Sequence, residues 1–174
     1  MTNGPVAGED WIDAETKVAD APHDHRAELR LWLRLLTCTN LIEGEVRRRL
    51  REEYDFTLPR FDLLAQLDKA EDGLVLGEVS RRLMVSAGNV TALVERLLES
   101  GHITRTPSPS DRRVQVIRMT PEGRTAFRRM AEDHGDWIGR LFDGLGEEEM
   151  DMAMRVLGRL KDSVRAGMRE AGRT

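Results

Sequence analysis

The feature that most constrains this 174-residue chain is the ordered run from Leu76 to Thr120. Asp72-Gly73 reads as a turn, and Leu76 to Leu83 as a short helix with Val79, Leu83 and Met84 turned inward. Ser86 then stands as an N-cap, its hydroxyl suited to an orphan amide in the next turn, with Asn89 at the third helical position. The helix it opens gathers Val90, Leu93, Val94 and Leu97 on one face, and Gly101 supplies its stop. Ile103 to Arg105 and Val114 to Met119 read as paired strands around Thr106-Pro107-Ser108-Pro109-Ser110-Asp111-Arg112-Arg113, a basic, turn-rich loop. In the second strand Val114, Val116 and Arg118 alternate with Gln115, Ile117 and Met119, so both faces are partly covered. A helix that opens on small polar side chains, followed by an arginine-bearing hairpin, suits reading DNA in two adjacent grooves.

The flanks are helical. From His25 to about Glu53, Leu29, Trp32, Leu33, Leu36, Leu41 and Val46 keep a helical stripe, and Arg47-Arg48-Arg49-Leu50-Arg51 makes a basic end favourable near a helix C-terminus. Tyr54-Asp55-Phe56-Thr57 is a connection. Pro59 fits the first turn of the next helix, where its missing N–H is not needed, and Phe61, Leu63, Leu64 and Leu67 form its apolar face. Thr120-Pro121-Glu122 combines a hydroxyl cap, a first-turn proline and an acid near the positive helix end. That helix runs to about Leu145. Gly146 and Glu147-Glu148-Glu149 open the last one, seamed by Met150, Met154, Leu157, Leu160, Val164 and Met168.

The expected order is helix, helix, helix, helix, strand, strand, helix, helix. This is a mainly α chain: a winged helix-turn-helix with long N- and C-terminal dimerisation helices. Residues 1–24 are expected to be a flexible or partner-docking arm carrying Trp11 and Ile12. Residues 25–56 and 121–174 would be the dimerisation helices, and 57–120 the DNA-binding lobe. The outer helices are longer than such a lobe needs, and a second copy of the chain is the cheapest cover for their apolar surface.

Charge distribution supports the lobe assignment. The chain carries 27 basic and 31 acidic side chains, a net charge of −4, yet residues 76–120 carry seven basic and four acidic ones. The positive excess sits where phosphate would be met, and there counterion release drives binding. Aromatic content of 5% argues against a β-sandwich or barrel. No apolar run approaches the roughly 18–20 residues of a membrane span, and the opening residues hold no signal core. A cytoplasmic protein with no membrane partner is expected. The single cysteine, Cys38, excludes an internal disulfide.

The residues resemble the MarR family of dimeric bacterial transcription regulators from about Glu28 to Val164. Asp111-x-Arg113-x-x-x-Ile117-x-Met119-Thr120 is similar to the family's wing signature D-x-R-x-x-x-V-x-L-T. Asn89-Val90-Thr91-Ala92-Leu93-Val94-Glu95-Arg96-Leu97 followed by Gly101 is similar to its recognition helix and exit glycine. Leu76 departs from the pattern, since many members place a Ser or Thr cap there. A narrower resemblance is to regulators of aromatic-acid catabolism, including those answering hydroxycinnamoyl-CoA thioesters. It is carried by Leu31-Trp32-Leu33-Arg34-Leu35-Leu36, by Thr57-Leu58-Pro59-Arg60-Phe61-Asp62-Leu63-Leu64 and by Arg81-Arg82-Leu83-Met84-Val85-Ser86.

These readings assign roles. Ser86, Asn89 and Thr91 would meet bases or phosphate at the start of the recognition helix, against the plainer reading of a cap and a solvated face. Arg96 would reach phosphate or pair with Asp111. Arg113 would enter a narrow minor groove, and Arg112 would contact phosphate. Asp111 would orient an arginine by a charge-assisted hydrogen bond. Arg105 would touch DNA or form a surface ion pair; Ser108 and Ser110 would donate to phosphate or simply shape the turn. The resemblance implies an effector site between the dimer helices and the lobe. Trp32, Arg34, Arg60 and Phe61 are its candidates: the rings to stack on an aromatic acyl group, the arginines to pair with carboxylate or CoA phosphate, unless the rings are core and the arginines surface.

Other chemistry is thin. Cys38 reads as a buried structural thiol, the alternative being a redox sensor with a lowered thiol pKa and access. His23, His25, His102 and His134 are scattered, so neither a metal nor another cofactor is expected. No phosphate-cradling glycine loop, nucleophile elbow or catalytic carboxylate pair stands out, and no enzyme is expected. The sequence thus implies a homodimeric, ligand-responsive repressor on a pseudo-palindromic operator of double-stranded DNA, released by a small aromatic acid or aromatic acyl-CoA. The alternatives are a cysteine- or metal-based sensor of the same fold, or a dimeric protein-interaction module without DNA binding.

Overall fold

The fold was obtained as a computed structural model, which describes residues 27–83, 86–108, 111 and 113–172. The elements run α1 (Ala27–Tyr54), α2 (Leu58–Asp68), β1 (Leu74–Val75), α3 (Leu76–Leu83), α4 (Ala87–Glu99), β2 (Ile103–Pro107), β3 (Gln115–Met119), α5 (Pro121–Phe142) and α6 (Glu147–Ala171). The chain is mainly helical with one small antiparallel sheet. It divides into two compact units, the boundary falling inside α5 after His134. The expected arm with Trp11 and Ile12, and His23 and His25, lie outside the described residues.

In the first unit α1 is laced by ion pairs one turn apart: Arg47 with Glu43 (2.5 Å), Arg48 with Glu45 (2.7 Å) and Arg49 with Glu45 (2.6 Å). Hydrogen bonds from Arg48 and Arg49 hold the Glu45 carboxyl down at about 2. Such pairs support a solvated helix by roughly 0.2–0.5 kcal/mol each. The basic end is therefore a solvated charged face. Asp55, at φ 47°, ends the helix in left-handed geometry, and Phe56 N donates to Leu50 O at 3.0 Å. Pro59 stands in the first turn of α2, which buries Phe61, Leu63, Leu64 and Leu67.

These side chains meet Val79 of α3, Val90, Val94 and Leu97 of α4, and Leu74, Ile103, Val116 and Ile117 of the sheet in one buried core. The strand order is β1-β3-β2, with Leu74 opposite Ile117 in one ladder and Arg105 opposite Ile117 in the other. The expected order contained two strands and missed β1. Two residues show no alternation, and only their pairing with β3 makes them a strand. As expected, neighbouring residues Val116 and Ile117 are both buried, so β3 is covered on both faces. Gly73 turns the chain into β1 at φ 82°, where an added Cβ would lie 2.4 Å from Ile117 O.

Two joints fix the ends of the recognition segment. At the exit of α4, Gly101 adopts φ 72°, its amide donates to Leu98 O, and His102 N donates to Leu97 O, each at 3.0 Å. This is the paired C-terminal closure that glycine favours. At the entry to α5, Thr120 Oγ1 accepts from Gly123 N (2.9 Å) and donates to Gly101 O (2.8 Å). A Cβ on Gly123 would stand 2.0 Å from His102 O, so this helix start lies directly on the exit of α4.

Helix α5 ends at Phe142, three residues before the expected Leu145, which follows in a turn. In the second unit Gly146 caps α6, its amide donating to Glu149 Oε2 at 2.9 Å. Of the expected apolar seam of α6, Met154, Leu157, Val164 and Met168 are exposed, as are Met152 and Val156 beside it, while Met150 and Leu160 are half-buried. The stripe of α1 behaves alike over its first half, with Leu29, Leu31, Trp32, Leu36 and Leu41 exposed, while Val46 and Leu50 are buried. Cys38 is exposed too. The expectation of a buried thiol fails because this half of the helix lies outside the chain's own core.

Candidate nucleic-acid interface

The cap that opens α4 forms as its residues dictate. Ser86 is extended at φ −63° and ψ 153°, and its hydroxyl accepts from Asn89 N at 3.4 Å. Since Val90, Val94 and Leu97 face the core, the opposite side of the helix presents Asn89, Thr91 and Arg96 to solvent. Asn89 lies in the first turn, where the chain comes nearest to a groove floor in a helix-turn-helix. Ser86 serves as a cap and is exposed as well.

The wing is shaped by Asp111 and the strand ends. Asp111 Oδ1 accepts from Arg113 N (2.9 Å), Val114 N donates to Asp111 O (2.9 Å), and Ser108 N donates to Val114 O (2.8 Å). Asp111 thus holds the Arg113 backbone, where an arginine side chain had been expected. The grip resembles an Asx-turn and leaves the exposed Arg113 at the hairpin tip. Arg118 Nη1 donates to Thr106 Oγ1 (2.9 Å) across the two strands. Arg112 and Ser110 lie outside the described residues.

Two arginines take partners. Arg96 pairs with Glu99 at 3.5 Å on its own exposed helix face, in place of the Asp111 pairing considered from sequence. Such a contact between solvated groups is weak and leaves Arg96 free to turn toward phosphate. Arg105 is held by Glu95 of α4 at 2.7 Å, the surface ion pair foreseen as its alternative. Glu95 has no sign in the sequence, because a carboxylate on a charged helix face stands out only once the strand beside it is placed.

The four effector candidates divide. Trp32 is 57% exposed, which overturns its reading as core, whereas Phe61 is core, packed on the rings of Phe127 (5.4 Å) and His134 (5.2 Å). Arg60 secures the α1–α2 connection: it donates to Asp55 O (2.9 Å) and Thr57 Oγ1 (3.2 Å) and lies 4.3 Å over the Phe56 ring. The other face of this joint is His102, edge-on to Phe56, its Nδ1 2.6 Å from Ser100 Oγ. Burial, then the Arg60 cation, pushes its pKa down. Trp32 and Arg34 lie 23 and 21 residues before Asp55 along α1. At 1.5 Å per residue that is roughly 30–35 Å away, so one chain does not bring the four together. A groove of about 310 Å³ on α1, lined by residues including Asn40, Gly44, Arg47 and Arg51, contains none of them.

Two further titratable groups are shifted. Tyr54 donates to Asp133, and burial followed by that bond raises its pKa. Asp62 on α2 is raised by burial and by the Glu43 carboxylate. Among the described residues no three His, Cys, Asp or Glu side chains gather as metal ligands, and no helix is long and apolar enough to cross a membrane.

Comparison with known proteins agrees with this geometry. Residues 54–114 match a family model described as MarR family. The chain is similar to the transcriptional activatory protein BadR of Rhodopseudomonas palustris, at 32% identity over 134 residues, 76% of this chain and 71% of the relative. A crystal structure of a MarR family transcriptional regulator from Silicibacter pomeroyi superposes with a TM-score of 0.67 at 31% identity, covering 79% of this chain and 94% of that one. FabT of Streptococcus pneumoniae, solved in complex with DNA, gives 0.68 at 26% identity, with coverage of 80% and 98%.

Proposed function

The chain belongs to the MarR family of DNA-binding transcription regulators, which are not enzymes, and on that premise we propose that it is a cytoplasmic, homodimeric, ligand-responsive repressor. The observation that carries the DNA-reading half is the pairing of a Ser86-capped helix, exposing Asn89, Thr91 and Arg96, with a wing whose turn sets Arg113 at its tip. Asn89 and Thr91 read base edges or phosphate, Arg113 enters the minor groove, and Ser108 donates to phosphate at the wing stem. Arg113→Ala is expected to weaken operator binding at least tenfold in a salt-controlled mobility-shift assay, with the dimer intact. Unchanged affinity would remove Arg113 from the mechanism.

Dimerisation is supported by the open apolar seams of α1 and α6. Two copies would place their recognition helices in successive major grooves of a pseudo-palindromic operator, about 34–36 Å apart. Half-sites moved by five base pairs, half a helical turn, should lose the two-site affinity.

The effector we propose is a small aromatic acid or its acyl-CoA thioester, supported by the exposure of Trp32 and Arg34 on α1. Because one chain separates Trp32 and Arg34 from Arg60, and Phe61 is buried in the core, a site joining Trp32 and Arg34 to Arg60 needs two protomers. Effector binding there would change the spacing of the two lobes, through different affinities for the DNA-competent and released states. Thermal shifts with free aromatic acids and with their CoA thioesters test this; equal shifts, or none, would sink the thioester. The sign of control needs its own assay, since BadR is by name an activatory protein. A reporter with the operator overlapping its promoter should be silenced by the protein and relieved by the effector.

A further inference from the structure

Ion pairs on α1, α3 and α4 mostly join neighbouring turns of one helix, whereas Arg105–Glu95 ties the recognition helix α4 to strand β2, the stem of the wing. We propose that Arg105 is a positioning residue for operator recognition, holding the wing against the recognition helix through Glu95 and neutralising a carboxylate that would otherwise face phosphate. The inference rests on the DNA-reading proposal above.

The placement of the pair supports it. Glu95 lies one turn beyond Thr91 on the side of α4 turned away from buried Val94. Arg105 lies opposite buried Ile117 in the sheet, three residues before Ser108 at the start of the turn. At 2.7 Å the guanidinium is within charge-assisted hydrogen-bond distance of the carboxylate. One position along, Arg118 ties Thr106 across the hairpin, so the stem is held both to the helix and within itself. The wing tip acts in one groove and α4 in the next, so a small change at the stem moves Arg113 relative to Asn89. The side chains of Arg105 and Glu95 are 36% and 47% exposed, so the pair itself adds little to folding stability, and its loss should be read in binding.

The test is a double-mutant cycle on the full chain, measuring operator affinity over a salt series. Arg105→Ala is expected to weaken specific binding about tenfold, with the slope of log affinity against log salt unchanged. Glu95→Ala/Arg105→Ala is expected to recover the part of that loss due to the unpaired carboxylate, while the part due to the lost tie to the wing remains. A direct phosphate contact behaves otherwise: the salt slope shrinks by about 1 and the double variant binds no better than Arg105→Ala. That result overturns the proposal, as does wild-type affinity in Arg105→Ala. A DNA-free arm guards against misfolding. In protein with an unchanged unfolding midpoint, the backbone amide order parameters of Asp111, Arg113 and Val114 should fall in Arg105→Ala and stay high in Arg105→Lys. Equal order parameters in all three proteins would overturn it. Failure of the wild-type protein to bind any operator would instead bring down the DNA-reading proposal, so the two failures are distinct.

Discussion

The lobe from α2 to β3 and the long helices α1 and α6 use the same apolar residue types to opposite ends. In the lobe, Leu63, Leu64, Val79, Val94, Leu97 and Ile117 are fully buried within one chain. On the helices, Leu41 is 62% exposed and Met168 71% exposed. Burying a leucine or methionine is worth roughly 1.5–3 kcal/mol. The lobe therefore buries its apolar side chains within one chain, whereas α6 and the first half of α1 leave theirs exposed. In the proposed dimer this division would keep the packing of each lobe within one chain and leave the spacing of the two lobes to the exposed seams.

The largest effects should expose that division. Leu64→Ala opens a cavity in the lobe and is expected to cost about 2–5 kcal/mol in denaturant unfolding, whatever the protein concentration. Leu157→Asp on α6 should leave the lobe folded and shift the protein from dimer to monomer in sedimentation; a variant that stays dimeric would remove α6 from the interface.

Glycines give the next contrast. Gly73→Ala puts a Cβ against Ile117 O in left-handed backbone and should cost about 1–3 kcal/mol. Gly158→Ala on α6 meets nothing within 4 Å and should stabilise by up to about 1 kcal/mol. Equal effects at the two sites would erase the distinction between packed and open regions. A smaller loss, about 1 kcal/mol, is expected for Ser86→Ala, which removes the α4 cap.

The pH dependence is the mildest test. Burial pushes the pKa values of His102 and His134 below their ordinary value. As pH falls from about 7.5 to 5.5 the unfolded chain takes up protons first, so these residues make stability decline over that window and level off below their folded pKa values. Thermal midpoints across it should flatten in a His102→Gln/His134→Gln variant. Midpoints that rise toward acid in the wild type and lose that rise in the variant would contradict the assignment.

Much of this was legible because it is local. The Ser86 cap, the Gly101 exit, the Gly146 start and the Thr120 cap on Gly123 N each depend on residues within five positions, although Thr120 also donates to the distant Gly101 O. Helix α3 was placed at Leu76–Leu83 from its pattern, despite Leu76 in place of a capping residue, because the strand before it sets its start. The wing turn is legible in the sequence, whereas the grip of Asp111 on a backbone amide, in place of an arginine side chain, is not. The strand β1, the Glu95 partner of Arg105 and the exposure of Cys38 escaped, since each depends on what a distant segment places alongside.

By itself, then, the sequence determined the helical periods, their caps and stops, the basic wing and hence the kind of molecule that reads DNA. Those properties follow from 3.6-residue spacing and from hydrogen bonds between residues close in sequence. Only the tertiary structure decided which side chains share a site. It withdrew Phe61 into the core, turned Trp32 outward, set Arg60 on the Asp55 carbonyl and gave Arg105 to the recognition helix. Proximity across ten or more residues is set by the packing of whole elements, and no local pattern records it.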